Sequence, residues 1–472
     1  MKDSTSSFEW LRRSGALLAF AAILVAALYL TGLTRMGMYS VDEPRYADIG
    51  RTMAHSGDWT TPKLWGEAWF EKPPLLYWMT AVGFDLGAGN DLAPRLPVAL
   101  LSIGFLVFFF RRLAVVFDPE TARYATAMLA TSGGWLAYSH VAVTDLPLSV
   151  CFSTAVLFAL PGRPGPVGER AEPRRALAAA ALGLAVLAKS LPPLILFTPI
   201  LAMDYRNWRR WFARWPILVF LAVAVPWHVA AAVRNGSPFL YELFIKQQFG
   251  RFFTNALQHE QPWWFYLGVF PLLLFPWFPL LIPAARRVKE DESAAQLAVV
   301  VVVGFVFFSL GVNKLYGYVL PLVPATCALM GYGVAREGGR TRWILATLAL
   351  TGVLPFAPAI ASRAPVAWAW ILVSAVVLAG GGWMLGSVKR GILMAALATG
   401  IFYLGIEGKV FSALDHSGSL RSEWVARHPS CAALVLPRGT LYGLYYYAGK
   451  RLPDCAIVDK NAPIIDGSGP TK

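Results

Sequence analysis

The stretch MYSVDEPRYADIGR, residues 38–51, directly follows an apolar run over residues 15–33. It places two adjacent carboxylates, Asp42 and Glu43, and the guanidinium of Arg45 where such a run would leave a membrane. Ionisable side chains at the edge of a membrane are costly unless they are paired or face a wet cavity. The stretch therefore indicates a membrane protein that carries a polar site at one face.

The composition is that of a chain that crosses a membrane many times. Of the 472 residues, 56% are hydrophobic and 15% are charged, and the mean hydropathy is +0.51. Soluble domains carry about 25% charged residues, so a soluble fold is excluded. The net charge of +14 comes from short basic loops between apolar runs. Such loops are typical of membrane orientation signals rather than of a nucleic-acid surface.

Apolar runs of roughly 17 to 25 residues predict spanning helices, and together they predict an all-α polytopic membrane protein. We place about thirteen of them, near residues 15–33, 95–113, 121–141, 145–160, 176–189, 190–203, 216–233, 263–284, 294–311, 318–334, 342–361, 366–386 and 391–408. The basic clusters then all lie on one side, the cytoplasm. The stretch LLYWMTAVGFDLG predicts an interfacial helix instead.

Two domains follow from this topology. A transmembrane domain over residues 1–408 includes the periplasmic loops 34–94 and 234–262, and residues 409–472 form a small periplasmic domain. In this tail, SCAALVLPRG and DCAIVDK predict short strands around TLYGLYYYAGKR, which indicates an α/β unit. Cys431 and Cys455 are expected to form a disulfide in an oxidising periplasm.

The unusual polar residues share the periplasmic side in this topology. They are Asp42, Glu43, Arg45, Glu71, Lys72, Asp145, Lys189, His259, Glu260, Asn313 and Lys314. A one-sided cluster drawn from many helices predicts a functional site. Each member also has a structural interpretation, because DEPR can simply begin a helix with Pro44 in its first turn and lysines can snorkel to the interface.

Several motifs resemble one enzyme family. The run VDEPRYADIGRTMAHSGDWTTPKLWGEAWFEKPPLLYW, followed by LAPRLPVAL, VTDLPL, LAVLAKS and NKLYGYVLPLVPA, is similar to the aminoarabinose-transferase-like glycosyltransferases. These are polytopic enzymes of the GT-C superfamily, related to protein O-mannosyltransferases. The resemblance covers residues 10–335. Ser190 departs from the glycine usual in the family, and KLYGY departs from the usual K-L-P-x-Y.

The resemblance implies an inverting glycosyltransferase at the periplasmic face of a bacterial inner membrane. It would move a sugar, with 4-amino-4-deoxy-L-arabinose or a related sugar as the candidate, from undecaprenyl phosphate to lipid A or another glycolipid or protein acceptor. A protein O-glycosyltransferase is the alternative within the enzyme class. A secondary transporter is the alternative outside it, and would place its charges near the bilayer midplane.

The resemblance also assigns roles to individual residues. Lys72 is the first choice to neutralise the donor phosphate, with Arg251, Lys314 and Tyr318 as weaker choices. Asp42 is the candidate for the reacting centre, as a general base or as an anchor for the acceptor. The full set of expected site residues is Asp42, Asp145 and Lys72 for catalysis, and Glu43, Arg45, Glu71, Lys189, Arg251, Lys314 and Tyr318 for substrate binding.

Specific roles are expected for the acidic members of this set. Glu43 and Asp145 would hold the ammonium of an amino sugar, and Arg45 would keep the acidic cluster ionised. No metal is required, but Glu71 and His259 remain open as ligands of a divalent ion. The chain has no glycine loop of the kind that cradles nucleotide phosphates, so the expected donor is a lipid phosphate.

Overall fold

The computed structural model describes residues 21–162, 171–250, 259–337, 342–356, 368–418, 421–432 and 436–455, and 76% of it is helical. The helices of the first half are α1 (Ala21–Leu30), α2 (Asp42–Ser56), α3 (Leu75–Asp85), α4 (Leu96–Val116), α5 (Pro119–Ala130), α6 (Gly133–Ser139), α7 (Asp145–Ala159), α8 (Ala171–Lys189), α9 (Pro192–Met203), α10 (Trp208–Trp211), α11 (Arg214–Asn235) and α12 (Ser237–Leu240).

The second half continues with a π-helix, Tyr241–Gly250. Its α-helices are α13 (Phe265–Leu273), α14 (Leu281–Arg287), α15 (Glu292–Leu310), α16 (Val323–Arg336), α17 (Arg342–Thr351), α18 (Trp368–Leu385), α19 (Val388–Gly418), α20 (Arg421–Arg427) and α21 (Arg438–Ala448). The 3₁₀ segment Tyr316–Leu322 leads into α16. A short antiparallel pair, β1 (Lys63–Leu64) and β2 (Glu67–Ala68), lies between α2 and α3.

Length and composition identify the helices that can cross a membrane. Among the described residues, five helical segments are long and apolar enough, and a sixth counts if Phe265–Leu273 and Phe278–Glu290, bent by 106°, form one span. Shorter apolar helices of 10–17 residues include α1, α7 and α9. The fold is therefore a helical membrane fold, and the route with about thirteen spans stays a prediction.

The helix predicted over residues 121–141 is wrong, because the chain breaks between α5 and α6. Thr131 and Ser132 each donate their hydroxyl to the carbonyl four residues earlier, a bond that bends helices. A Cβ atom at Gly134 would lie 2.5 Å from Leu273, so α6 packs directly against α13. This break positions Tyr138, at the end of α6, beside the start of α7.

A buried salt bridge joins three segments of the chain. Arg95 and Glu43 are each 1% exposed, and Arg95 donates from Nε and Nη2 to the two carboxylate oxygens of Glu43 at 2.8 and 2.7 Å. The same guanidinium donates to the carbonyls of Leu33 and Gly37. The backbone N–H of Ala142 donates to Glu43 Oε1 at 2.9 Å. The pair therefore fixes the end of the first apolar segment, the start of α2 and the loop before α7 relative to one another.

The tail, from residue 409 onward, packs on the loop over residues 34–94. Arg51 of α2 donates to the carbonyl of Tyr446 at 2.9 Å, and Tyr447 donates to Asp91 at 2.6 Å. Arg421 bridges Asp91 and the last turns of α19. The expected Cys431–Cys455 disulfide is confirmed. Residues 433–435 and 456–460 of the two predicted strands lie outside the described residues. A parallel bridge joins Ala432 to Asp454, and the first predicted strand runs into α21, which begins at Arg438.

We expect Arg95→Met to lower the free energy of unfolding by about 3–5 kcal/mol, because it leaves the carboxylate of Glu43 buried without its partner. The thermal unfolding midpoint in detergent measures the change. Arg287→Met removes an exposed pair with Glu290 and should leave the thermal midpoint nearly unchanged, because exposed ion pairs contribute little. Equal, small shifts for both variants would contradict the role assigned to Arg95.

Candidate active site

Asp42 is the first residue of α2 and lies at the rim of the site. Its carboxylate and that of Glu43 occupy the first turn, with Pro44, where a helix favours negative charge and tolerates proline. The motif DEPR therefore does begin a helix, as its structural interpretation expected. The Asp42 side chain is nevertheless 35% exposed, whereas its salt-bridge partner Arg45 is 8% exposed. Asp42 alone of the three charged residues in this turn is open to a ligand.

A row of alternating charges runs inward from Asp42. Arg45 donates to Asp42 through Nη2 and to Glu71 Oε2 through Nη1, the latter at 2.8 Å. The other oxygen of Glu71 accepts from Lys72 Nζ at 3.1 Å. Burial alone would lower the pKa of the Arg45 guanidinium, but the charges of Glu71 and Asp42 outweigh it and raise the pKa. Arg45 thus stays charged and holds the two motifs, VDEPRY and FEKPP, together.

A second ion pair joins the facing ends of α7 and α8. Lys189, the last residue of α8, donates to Asp145 Oδ1 at 2.6 Å, and its ammonium lies 4.4 Å from the ring centre of Tyr318. A Cβ atom at Gly317 would lie 2.6 Å from Cγ of Asp145, so only glycine fits there. The sequence YGY therefore allows the 3₁₀ segment to pack directly on this pair.

One cleft brings the two lysines together. It has about 660 Å³ of empty volume and is lined by Lys72, Lys189, Gln247, Asn313 and Tyr318, and by apolar groups, Leu148, Pro192, Phe307, Phe308 and Gly311. Ligand pockets of proteins combine apolar walls with a few placed polar groups. Two cations on one apolar wall favour a ligand with an anionic head and a hydrocarbon body.

Tyr138 belongs to the site, although sequence reasoning did not select it. Its hydroxyl oxygen would lie 2.7 Å from a Cβ atom at Gly317, next to Asp145. The phenol also interacts electrostatically with both Asp145 and Asp42. Tyr138 therefore lies next to Asp145, one of the two carboxylates that were expected to act in catalysis. The signal was weak, since one tyrosine in an aromatic apolar segment is usually a packing residue.

Two residues expected to contact the substrate are engaged within the protein. Glu43 is buried, and its oxygens accept from the side chain of Arg95 and from the backbone N–H groups of Ala142 and Tyr39, so its carboxylate holds the fold. Lys314 donates to the carbonyls of Gln261 and Gly311 at 2.8 and 2.6 Å. Its role in the described structure is to close the loop that ends α15.

The remaining expectations concern Arg251 and a metal ion. Arg251 lies outside the described residues. Both oxygens of Glu71 face cations, and His259 is joined through its backbone to Asn313 and Lys314. Within the described ranges, no group of three or more His, Cys, Asp and Glu side chains is placed to hold a metal ion. The pair Glu71 and His259 as metal ligands stays a prediction.

The fold matches that of known membrane enzymes. ArnT from Cupriavidus metallidurans, in a crystal structure bound to undecaprenyl phosphate, superposes with a TM-score of 0.79 over 93% of this chain and 85% of that chain, at 23% sequence identity. The archaeal oligosaccharyltransferase AglB from Archaeoglobus fulgidus gives 0.51 over 93% and 64%, at 12% identity. At these identities, the likeness shows the fold alone, a GT-C fold.

Curated relatives share more sequence. The undecaprenyl phosphate-alpha-4-amino-4-deoxy-L-arabinose arabinosyl transferase of Pseudomonas paraeruginosa is 31% identical over 336 residues, which is 67% of this chain and 59% of that protein. The protein of the same name from Edwardsiella ictaluri is 30% identical with the same coverage. The chain thus spans less than two thirds of the length of these relatives.

A family model identifies the chain more directly. The model described as dolichyl-phosphate-mannose-protein mannosyltransferase matches residues 15–283. This segment contains Asp42, Lys72, Asp145 and Lys189, which form the two ion-pair systems of the site. It covers more than half of the chain. The protein therefore belongs to the dolichyl-phosphate-mannose-protein mannosyltransferase family, within the GT-C superfamily.

Proposed function

We propose that the protein is an inverting glycosyltransferase that uses a polyprenyl-phosphate sugar, with undecaprenyl phosphate as the carrier lipid. The observation that carries this proposal is the cleft in which Lys72 and Lys189 share a wall with Phe307, Phe308 and other apolar groups. A phosphate attached to an isoprenoid chain fits both features, because lysines bind the anion and the apolar wall binds the chain.

The arrangement supports a single displacement at the sugar. A bond forms between the acceptor oxygen and the anomeric carbon while the bond from that carbon to the donor phosphate breaks. The phosphate leaves on the polyprenyl carrier, and Lys72 stabilises the charge that it gains. The cation is 6% exposed, and charge interactions are stronger in such a desolvated site than in water.

Asp42 and Asp145 have different proposed roles. Asp42 is exposed at the rim and accepts the proton of an acceptor hydroxyl, or orients an acceptor that is a phosphate. A phosphate with its second pKa near 6 is already nucleophilic at neutral pH and needs no base. Asp145, held by Lys189 and close to Tyr138, is proposed to contact the ammonium of an amino sugar. Tyr138 positions the sugar between the two carboxylates.

The acceptor is proposed to be lipid A, and the sugar 4-amino-4-deoxy-L-arabinose or a relative, on the strength of the named relatives. A protein acceptor is the second candidate, favoured by the family model. Mass spectrometry of lipid A and of membrane glycoproteins, with and without the protein, separates them. A mass increase on lipid A supports the first, and one confined to glycoproteins overturns it.

The placement of the site argues against a transporter. Asp42 begins α2, Asp145 begins α7 and Lys189 ends α8, so the charges cluster at helix ends. Transporters gather theirs near the bilayer midplane, at broken helices. We propose that these ends face the periplasm of a bacterial inner membrane, with residues 1–408 as the transmembrane domain and residues 409–472 as a small periplasmic α/β domain.

This orientation predicts the labelling of two single cysteines. Ser56→Cys lies at the exposed end of α2 and Lys289→Cys in the exposed basic loop after α14. In intact spheroplasts, a membrane-impermeant maleimide should label the first and spare the second. The native cysteines give little background, since Cys431 and Cys455 are paired and Cys151 and Cys327 are buried. The opposite pattern would invert the proposed topology.

Asp42→Asn should lower the turnover number by roughly 10²-fold or more while the donor affinity changes little. The substitution keeps the shape and removes the base, and general-base catalysis contributes about 10²–10⁴-fold. Transfer assays and donor-binding measurements on the same preparation separate the two effects. Glu67→Gln, an exposed carboxylate on β2, is the matched control and should retain full turnover. Normal transfer by Asp42→Asn would leave Asp42 only as the start of α2.

Lys72→Met should weaken donor binding and slow transfer together, because the ammonium contacts the phosphate before and during bond cleavage. A hydrogen bond to a charged group contributes about 1.5–3 kcal/mol, which corresponds to a loss of roughly 10- to 150-fold in donor affinity. Lys63→Met, a half-exposed lysine of the same loop, serves as the control. If Lys72→Met bound the donor as the native protein does, the phosphate would have to lie elsewhere.

A further inference from the structure

A second cavity lies among α8, α9, α10 and α11, away from the candidate active site. It has about 750 Å³ of empty volume. Its walls are almost wholly apolar and consist of Ala179, Leu182, Leu194, Phe197, Leu201, Trp211, Phe212, Pro216, Ile217 and Phe220. Such a cavity accepts a hydrocarbon chain more readily than a polar metabolite.

This cavity lies toward the opposite end of α8 from the active site. Lys189, which lines the active-site cleft, ends α8, whereas Arg175 lies in the first turns of the same helix. Fourteen residues of α-helix separate them, or about 21 Å at 1.5 Å per residue. Ala179, one helical turn after Arg175 and on the same face of α8, lines the second cavity.

Arg175 is a buried cation with unused hydrogen-bonding capacity. It is 9% exposed, its Nη2 lies 3.4 Å from Asp204 Oδ2, and its guanidinium carbon lies 5.5 Å from the ring centre of Trp211, a cavity wall. Its Nε and Nη1 atoms are buried and have no hydrogen-bond partner among the described residues. Asp204 also accepts from Trp211 and Asn207 at 2.8 Å, so its negative charge is shared.

The surroundings are strongly basic and aromatic. The two segments that flank the cavity mouth, residues 171–175 and 204–214, contain six arginines and two carboxylates. Four of the arginines are exposed: Arg206, Arg209, Arg210 and Arg214. Trp208, Phe212 and Trp215 are each more than half exposed, and aromatic side chains of this kind sit at lipid headgroup level.

We propose that this cavity is a binding site for one anionic phospholipid of the adjacent leaflet, with an acyl chain in the apolar pocket and the phosphate on Arg175. A guanidinium binds phosphate oxygens through charge-assisted hydrogen bonds, and Arg175 has two donors, on Nε and on Nη1, without a partner among the described residues. Charge complementarity selects an anionic over a zwitterionic headgroup, because the mouth carries an excess of positive charge.

The proposal predicts selective lipid retention by the detergent-purified protein. After incubation with equal amounts of phosphatidylglycerol and phosphatidylcholine, native mass spectrometry should detect one phosphatidylglycerol per chain in preference to phosphatidylcholine. Arg175→Gln should lower this retention by roughly tenfold, since a charge-assisted contact to phosphate is lost. Arg390→Gln, an exposed arginine of α19 outside the two segments that flank the cavity mouth, should retain the lipid.

A second variant separates lipid binding from folding. Leu201→Trp fills the pocket without changing any charge, and it should also lower retention, whereas the thermal midpoint shows whether each variant is folded. If Arg175→Gln does not fold, the Leu201→Trp result decides. Equal retention of the two lipids, or undiminished retention by a folded Arg175→Gln or Leu201→Trp variant, overturns the proposal. Displacement of phosphatidylglycerol by equimolar undecaprenyl phosphate would also overturn it, by assigning the cavity to the carrier lipid.

Discussion

The buried pair of Glu43 and Arg95 is the constraint on which the candidate site depends. The Arg95 guanidinium donates to the carbonyls of Leu33 and Gly37, and the Glu43 carboxylate accepts from the backbone N–H groups of Tyr39 and Ala142. A buried pair of this kind adds little net stability compared with apolar packing, but losing one partner is costly. The pair fixes the positions of two site residues. Asp42 directly precedes Glu43, and Asp145 follows the loop in which the N–H of Ala142 donates to Glu43.

In the site beside the Glu43–Arg95 pair, positive and negative side chains balance one another in the absence of a substrate. Arg45 and Lys72 neutralise Glu71 from both sides, and Lys189 neutralises Asp145. An anionic ligand in the cleft would meet two lysines that are already paired, Lys72 with Glu71 and Lys189 with Asp145. The cations are thus held in place without a large reorganisation on binding, which is the condition under which fixed charges contribute most to catalysis.

The sequence was sufficient for the helical class, for the start of α2 at Asp42 and for the nearness of the two charged motifs. It was insufficient where a role depends on a distant partner. The structural role of Glu43 was not evident from the sequence, because nothing local marks Arg95, 52 residues away, as its partner. The break before α6 depends on the close approach of Gly134 to Leu273, and that approach is also what brings Tyr138 to the site. Long-range packing, not local propensity, decided each case.

The packing of the tail on the loop over residues 34–94 has a consequence for biosynthesis. The contacts from Arg51 to Tyr446 and from Gly37 to Asp415 join residues 395 and 378 positions apart. At elongation rates of about 5–20 residues per second, the loop that carries Asp42 would emerge some 20 to 80 seconds before the segment that covers it. During that interval the earliest part of the site has no cover from the tail. The segment around Tyr446, synthesised later, therefore completes the structure around the earlier loop.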